Sequence, residues 1–292
     1  MNANLMSLTL LVAGLVGVAS PSLAKESPRT PPQITTAAPD PARQVQDLAR
    51  LFRSGDVTGL AQALVPPSQW EHFRLQYELK QLEPISEEDR IKFAEKLARV
   101  TGPDAVNVIM SEIEPKLEEA RPQVAGALLM GFGAMQMAAA APDSDLTEAQ
   151  RAALQSALPG IQHWASTTDF LSSTTMREAL TLLTDAARSI GITDIDQLKA
   201  MPLEDVLHRA GTVLAAAKDA VRLYGIDLDA VADTLQVEVL AVDNQTARVR
   251  TTVTLFDAPI WSEHELVLVE GRWYGKHAVI HASHHASEHG EG

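Results

Sequence analysis

Two hydrophobic periods divide the 292-residue chain. Through most of its length apolar residues return every three or four positions, and from Leu235 they return every second one, the change from helix to strand. Val45, Leu48, Ala49, Leu51 and Phe52 place a first helix from Ala42 that Ser54-Gly55 closes, and a shorter helix over 57–65 stops at Pro66-Pro67. Ser68 is expected to cap a helix carrying Trp70, Phe73, Leu75, Tyr77 and Leu79, and Ser86 with Asp89 forms a capping box for the next. Between 103 and 141, Pro115 and Pro122 each remove an internal hydrogen bond, so two or three helices are expected rather than one. A capping box at Thr147-Glu148-Ala149-Gln150 opens a helix that Pro159-Gly160 is expected to close. Further helices run from Thr174 or Thr175 to Gly191, over 193–200, and from Pro202 to Gly225.

Segment 124–141 is the most apolar part of the chain beyond residue 24, with Leu128, Leu129, Met130, Phe132, Met135, Met137 and four consecutive alanines. That composition predicts a central buried helix of an all-helical layer. The same length and composition also admit a membrane segment, with Ala127, Gly131 and Ala134 or Met135 as a small-residue seam.

In the terminal part, Val237, Val239 and Ala241 alternate with polar neighbours, and Ala247, Val249, Thr251, Val253 and Leu255 alternate with Arg248, Arg250, Thr252 and Thr254. Asp243-Asn244-Gln245, Asp257-Ala258-Pro259 and Glu270-Gly271 are the expected turns, with the last two strands over 260–269 and 272–280. Connections this short imply an antiparallel meander with one face packed on helices. The fold class is therefore α+β, predominantly helical, with a C-terminal four-stranded antiparallel sheet (235–281) inside one domain over 42–281.

Residues 5–19 form an apolar or small-residue run followed by Ser20-Pro21 and Ser22-Leu23-Ala24, the pattern of a signal peptide over 1–24 cleaved after Ala24. Export to the periplasm or beyond is the expectation. The n-region Met1-Asn2-Ala3-Asn4 holds no Lys or Arg, which leaves an uncleaved anchor as the alternative. Residues 25–41, with Pro28, Pro31, Pro32, Pro39 and Pro41, read as a linker. The chain has no cysteine, which excludes disulfides and a lipidated cysteine and leaves stability to the core. A net charge of −14 repels phosphate backbones and anionic headgroups, which argues against nucleic-acid partners.

Two constellations bear chemistry. The tail carries His277, His281, His284, His285 and His289, with Glu288 beside the last; on a helix the first four would lie near one face, a spacing suited to zinc, nickel or copper. The competing reading is a solvated, disordered tail over 282–292. On the third strand Trp261, Glu263 and Glu265 share one face and Ile260, Ser262 and His264 the other. If the Trp261 face lines an interior, Glu263 and Glu265 stand near Trp273 and His277 as an acid–base set; otherwise they are solvent-facing carboxylates. His72, His163 and His208 are isolated on helices, and no phosphate loop, nucleophile elbow or zinc-protease motif is present.

The final hairpin Glu270-Gly271-Arg272-Trp273 and the opening pair of helices, with Leu51-Phe52-Arg53-Ser54-Gly55-Asp56 and Pro66-Pro67, resemble the cone-shaped superfamily of ketosteroid isomerase and SnoaL-like proteins. The resemblance implies opening helices laid across a curved sheet, here split by a long helical insertion. No position matches the catalytic Asp and Tyr of the isomerases, so it implies a fold and no activity. The leading expectation is an exported, non-enzymatic binding or accessory protein that holds a small apolar ligand or a partner segment between helices and sheet. The alternatives are a cone-type enzyme using Glu263, Glu265 or His277, and metal handling by the tail with zinc or nickel. No other cofactor is expected.

Overall fold

A computed structural model describes residues 39–141, 148–276 and 279. The export signal, most of the linker, Thr147 and the tail histidines lie outside the described residues. Ten helices and four strands follow one another among the described residues, helices first.

Each helix is set by local chemistry. Helix α1 (Pro41–Ser54) starts at Asp40, whose carboxylate accepts from the Ala42 N–H, and ends at Gly55 in the left-handed region (φ 70°). Asp56 caps α2 (Val57–Leu64). Pro67, not Ser68, opens α3 (Pro67–Leu82), since proline at the first helical position loses no bond. The Ser86–Asp89 box opens α4 (Glu87–Thr101) as expected.

Helix α5 (Ala105–Ala140) corrects the expectation of two or three helices: it runs unbroken through Pro115 and Pro122. Both prolines are exposed, as are Ser111 and Glu118 four residues before them, so water takes the carbonyls that lose their N–H partners. The same reason carries α6 (Glu148–Thr167) past the exposed Pro159, where a stop was expected. Gly160 has a packing role instead: a Cβ there would collide with the Phe256 carbonyl oxygen. Ser172 caps α7 (Ser173–Ser189), Asp194 caps α8 (Ile195–Lys199), and α9 (Leu203–Arg222) follows Pro202. A further short helix, α10 (Leu228–Asp233), was not expected; Asp227 makes it by accepting from the N–H groups of Asp229 and Ala230.

The sheet is the expected meander, in the order β1 (Gln236–Val242), β2 (Thr246–Leu255), β3 (Ala258–Val269), β4 (Arg272–Gly275), every pair antiparallel. Two boundaries move. The second turn is Phe256-Asp257, both in the left-handed region (φ 51° and 59°), and Ala258-Pro259 already belongs to β3. Pro259 is tolerated because β4 pairs only with 266–269, so β3 has a free edge there. The fourth strand is four residues rather than nine, ending at Gly275 with Lys276 already helical.

Register places Ala247, Val249, Leu266 and Trp273 on one face, where they form a buried cluster joined by Val45 of α1, Val237 and Leu268. Helix α1 lies on β1 and β2, α2 touches β4, and α6 runs along β3. Gln44 of α1 is buried and closes the open edge of β4: its amide donates to the Trp273 carbonyl and accepts from the Trp273 N–H at 2.8 Å. Chain positions 229 apart are thereby joined.

Opposite the sheet, α9 packs on α7 and α2. Gly211 lets it press against the Gly55 carbonyl, where a Cβ would clash, and Lys218 lies two turns further along the same face. The Lys218 side chain is 5% exposed and its ammonium donates to the carbonyls of Phe52 (3.2 Å) and Arg53 (2.8 Å) and to Asp229 of α10 (2.6 Å). Three donors meet three acceptors, and the charge sits at the negative end of α1. Replacing Lys218 with Met, of similar volume, leaves these acceptors without their donor. The expected loss is about 2 kcal/mol, a fall of roughly 4–8 °C in melting temperature. A urea or thermal melt within about 0.5 kcal/mol of wild type would show the ammonium to be dispensable.

Candidate functional site: an exposed apolar helix face

The third-strand carboxylates face away from the buried cluster. Trp273 pairs with Leu268, which places it on the opposite face from Glu263 and Glu265. Glu263 accepts from Arg250 at 2.8 Å, and that guanidinium lies over the Trp261 ring at 4.7 Å while also reaching Glu238 at 3.4 Å. Glu265 is paired with Lys276 at 2.9 Å. The face is a row of cross-strand ion pairs stacked on a tryptophan, the pattern that stabilises an exposed sheet surface. His277, the third member of that proposed set, lies outside the described residues, as do His281, His284, His285 and His289.

On the cluster face, opposite Val249, β3 carries the half-buried His264. Its ring nitrogen Nε2 meets Thr251 Oγ1 at 3.0 Å, and burial holds its pKa below the ordinary 6.5. Thr251 is itself buried, and among the described residues no second titratable group shares the contact, so the pair is a hydrogen bond within the packed face of the sheet.

Two concavities among the described residues are open and mixed in lining. One of about 260 Å³ is bordered by Arg50, Arg53, Ser54 and Asp229; another, of about 300 Å³, lies between Gln81, Ile85, Arg90 and Asp196. Neither has the apolar lining of a small-molecule pocket. Arg90 and Asp196 are joined there by two hydrogen bonds of 3.0 and 2.8 Å, which draw the Asp196 carboxyl below its ordinary value. No group of three His, Asp or Glu side chains is placed to hold a metal among the described residues.

What is unusual is apolar surface. Segment 124–141 is not the buried centre of a helical layer: Leu129, Met130 and Met137 are 76%, 74% and 70% exposed. The helix rotates the segment so that its large apolar residues Val124, Leu128, Phe132 and Met135, with Ala139, are buried or half-buried on one side. Helix α6 covers that side, with Gln155 donating to the Ala139 carbonyl and Arg151 to that of Ala141. The opposite side carries Gly126, Met130, Gly133, Met137 and Ala140 at alternating spacings of four and three. A Cβ built at Gly126 or Gly133 meets nothing within 4 Å. A 36-residue helix of this composition is long and apolar enough to cross a membrane, with 6% of its apolar window buried.

Helix α3 repeats the theme. None of its residues is buried, Leu75, Leu79 and Leu82 form an exposed stripe at i, i+4 and i+7, and its attachment includes hydrogen bonds from Tyr77 and Gln81 to the Met201 carbonyl.

No protein-family model, no curated protein and no solved structure matches the chain.

His264 supplies a test of the buried face. The folded state disfavours the imidazolium, so below pH 6.5 the unfolded chain binds more protons and stability falls with falling pH. That contribution is full above pH 6.5 and lost through the window between 6.5 and the lower folded value. Denaturant unfolding of wild type and His264→Gln across pH 4.5–7.5 (about three units around the ordinary value) is expected to show a shallower slope in the variant. Equal slopes would mean the imidazole titrates freely in the folded protein.

Proposed function

We propose that the chain is an exported, non-enzymatic accessory protein that works by protein association through the exposed apolar side of α5. The observation that carries this is the exposure of Leu129, Met130 and Met137 on the most apolar stretch beyond residue 24. Apolar surface of this extent, uninterrupted by charge from Gln123 to Ala141, marks interaction sites on folded proteins. Export is supported by the 5–19 run and by Ser22-Leu23-Ala24. A non-enzymatic role is favoured because the carboxylates that chemistry would need, Glu263 and Glu265, are engaged by Arg250 and Lys276, and because the two concavities described above are open.

The reading makes a two-part prediction. Leu129→Gln, Met130→Gln and Met137→Gln together are expected to leave the melting temperature within about 5 °C of wild type, as exposed sites do, while reducing binding of an apolar dye several-fold. A photoreactive residue in place of Leu129 is expected to give a discrete protein adduct in the exporting cell. A collapse of the melting temperature would reveal a buried face, and adduct no greater than from the exposed position Glu95 would end the association reading.

A further inference from the structure

We infer that the exposed side of α5 is a self-complementary seam for a second copy of this chain, paired antiparallel about a two-fold axis. This rests on the association reading and names its partner. Spacings of four and three, repeated, put Gly126, Met130, Gly133, Met137 and Ala140 on one heptad seam, with small residues and methionines alternating along it. Parallel pairing would set methionine against methionine and glycine against glycine, leaving voids beside overcrowded layers. Antiparallel pairing centred between Gly131 and Phe132 sets every large residue against a small one: Met130 over Gly133 of the partner subunit, Met137 over Gly126 of the partner subunit, and the reverse of each. In that register four layers interlock; a slide of one heptad toward the helix N-terminus leaves two, and a slide the other way keeps four but sets Met130 against Ala140, whose methyl group leaves less room than Gly126.

Charge and area favour the same occupant. The last turn of α5 has no basic residue to offset its negative end, and antiparallel pairing opposes the two helix dipoles. The contact itself contains no charge, so the −14 of each copy is kept at its margins, and salt is expected to strengthen the dimer. The same acidity repels anionic lipid, and the opposite side of α5 is held by Gln155 and Arg151, which lipid would not solvate. Each copy offers a swath about 27 Å long and about 10 Å wide, on the order of 1,000 Å² for the pair once side-chain relief is counted. That is the lower edge of specific interfaces, which sets a dimer dissociating at roughly micromolar concentration.

Sedimentation velocity of the full chain, diluted from about 100 μM to below 1 μM, is expected to show dimer giving way to monomer. Met130→Lys, at an exposed position, and Gly133→Glu, where an added Cβ meets nothing within 4 Å, are each expected to weaken the dimer roughly 100-fold or more by burying unpaired charge. Mixed one to one, they are expected to restore it, since the ammonium at 130 then faces the carboxylate at 133 across the seam. A wild type that stays monomeric at every concentration, or single variants that dimerise like wild type, overturns the seam. So does a mixture no better than its parts, which rules out this register. Binding of monomer to vesicles of neutral phosphatidylcholine, lost in Met130→Lys, would assign the face to lipid instead and also overturn it. A monomeric wild type with a position-129 adduct to a different protein removes the second copy while leaving the accessory reading in place.

Discussion

The way the sheet sits on the helical layer depends on an ammonium buried within that layer. Lys218 has no water to solvate it, so its three N–H groups must all find oxygen, and the acceptors come from the end of α1 and from α10. Its Cα sits two turns from Gly211, whose missing side chain lets α9 reach the Gly55 carbonyl. One face of α9 therefore fixes where α1 ends. The far side of α1 supplies Val45 to the sheet cluster and Gln44 to the edge of β4, so the position of the C-terminal hairpin follows from a charge satisfied in the helical layer. For a chain with no cysteine, polar matching between distant segments takes the part that a disulfide would otherwise have.

A second tie acts at the other end of the sheet. Phe256 takes a left-handed conformation that costs a side chain on the order of 1–2 kcal/mol. Trp164 of α6 compensates by stacking on its ring at 5.0 Å, meets Phe170 edge-on at 5.0 Å, and donates its indole N–H to the Tyr224 carbonyl at 2.6 Å. Gly225, also left-handed (φ 84°), keeps the space beside the indole clear. The β2–β3 turn, α6 and the end of α9 are thus fastened to one aromatic group.

Local chemistry was legible in the sequence wherever it is complete within a few residues. The Ser86–Asp89 box, the Gly191 and Gly225 stops, the Glu270-Gly271 turn and the period of two from Leu235 all depend on neighbours in the chain, and all stand as expected. Features decided at a distance were not legible. Pro115, Pro122 and Pro159 read as breaks because the pattern cannot say that their freed carbonyls meet water. Lys218 and Gln44 carry no mark of burial, since their acceptors are 165 and 229 positions away. The alternation puts Glu263 and Glu265 on the Trp261 face but leaves open what stands beside them: Trp273 belongs to the other face because the hairpin register pairs it with Leu268.

The 124–141 segment shows the same limit more sharply. Hydropathy records how much apolar surface a helix has, not which part of it the fold covers. A 36-residue helix is about 54 Å long, more than one layer of a small domain can cover. Its first half is held between α4 and α7, burying Ala105, Met110 and Leu117, while its second half has α6 on one side and solvent on the other. Had the outer side been merely surplus length, lysine or glutamate at a few positions would have kept it soluble at small cost, as along α4. Instead, charge stops at Arg121, and glycine and methionine alternate in the register that lets two such helices interlock.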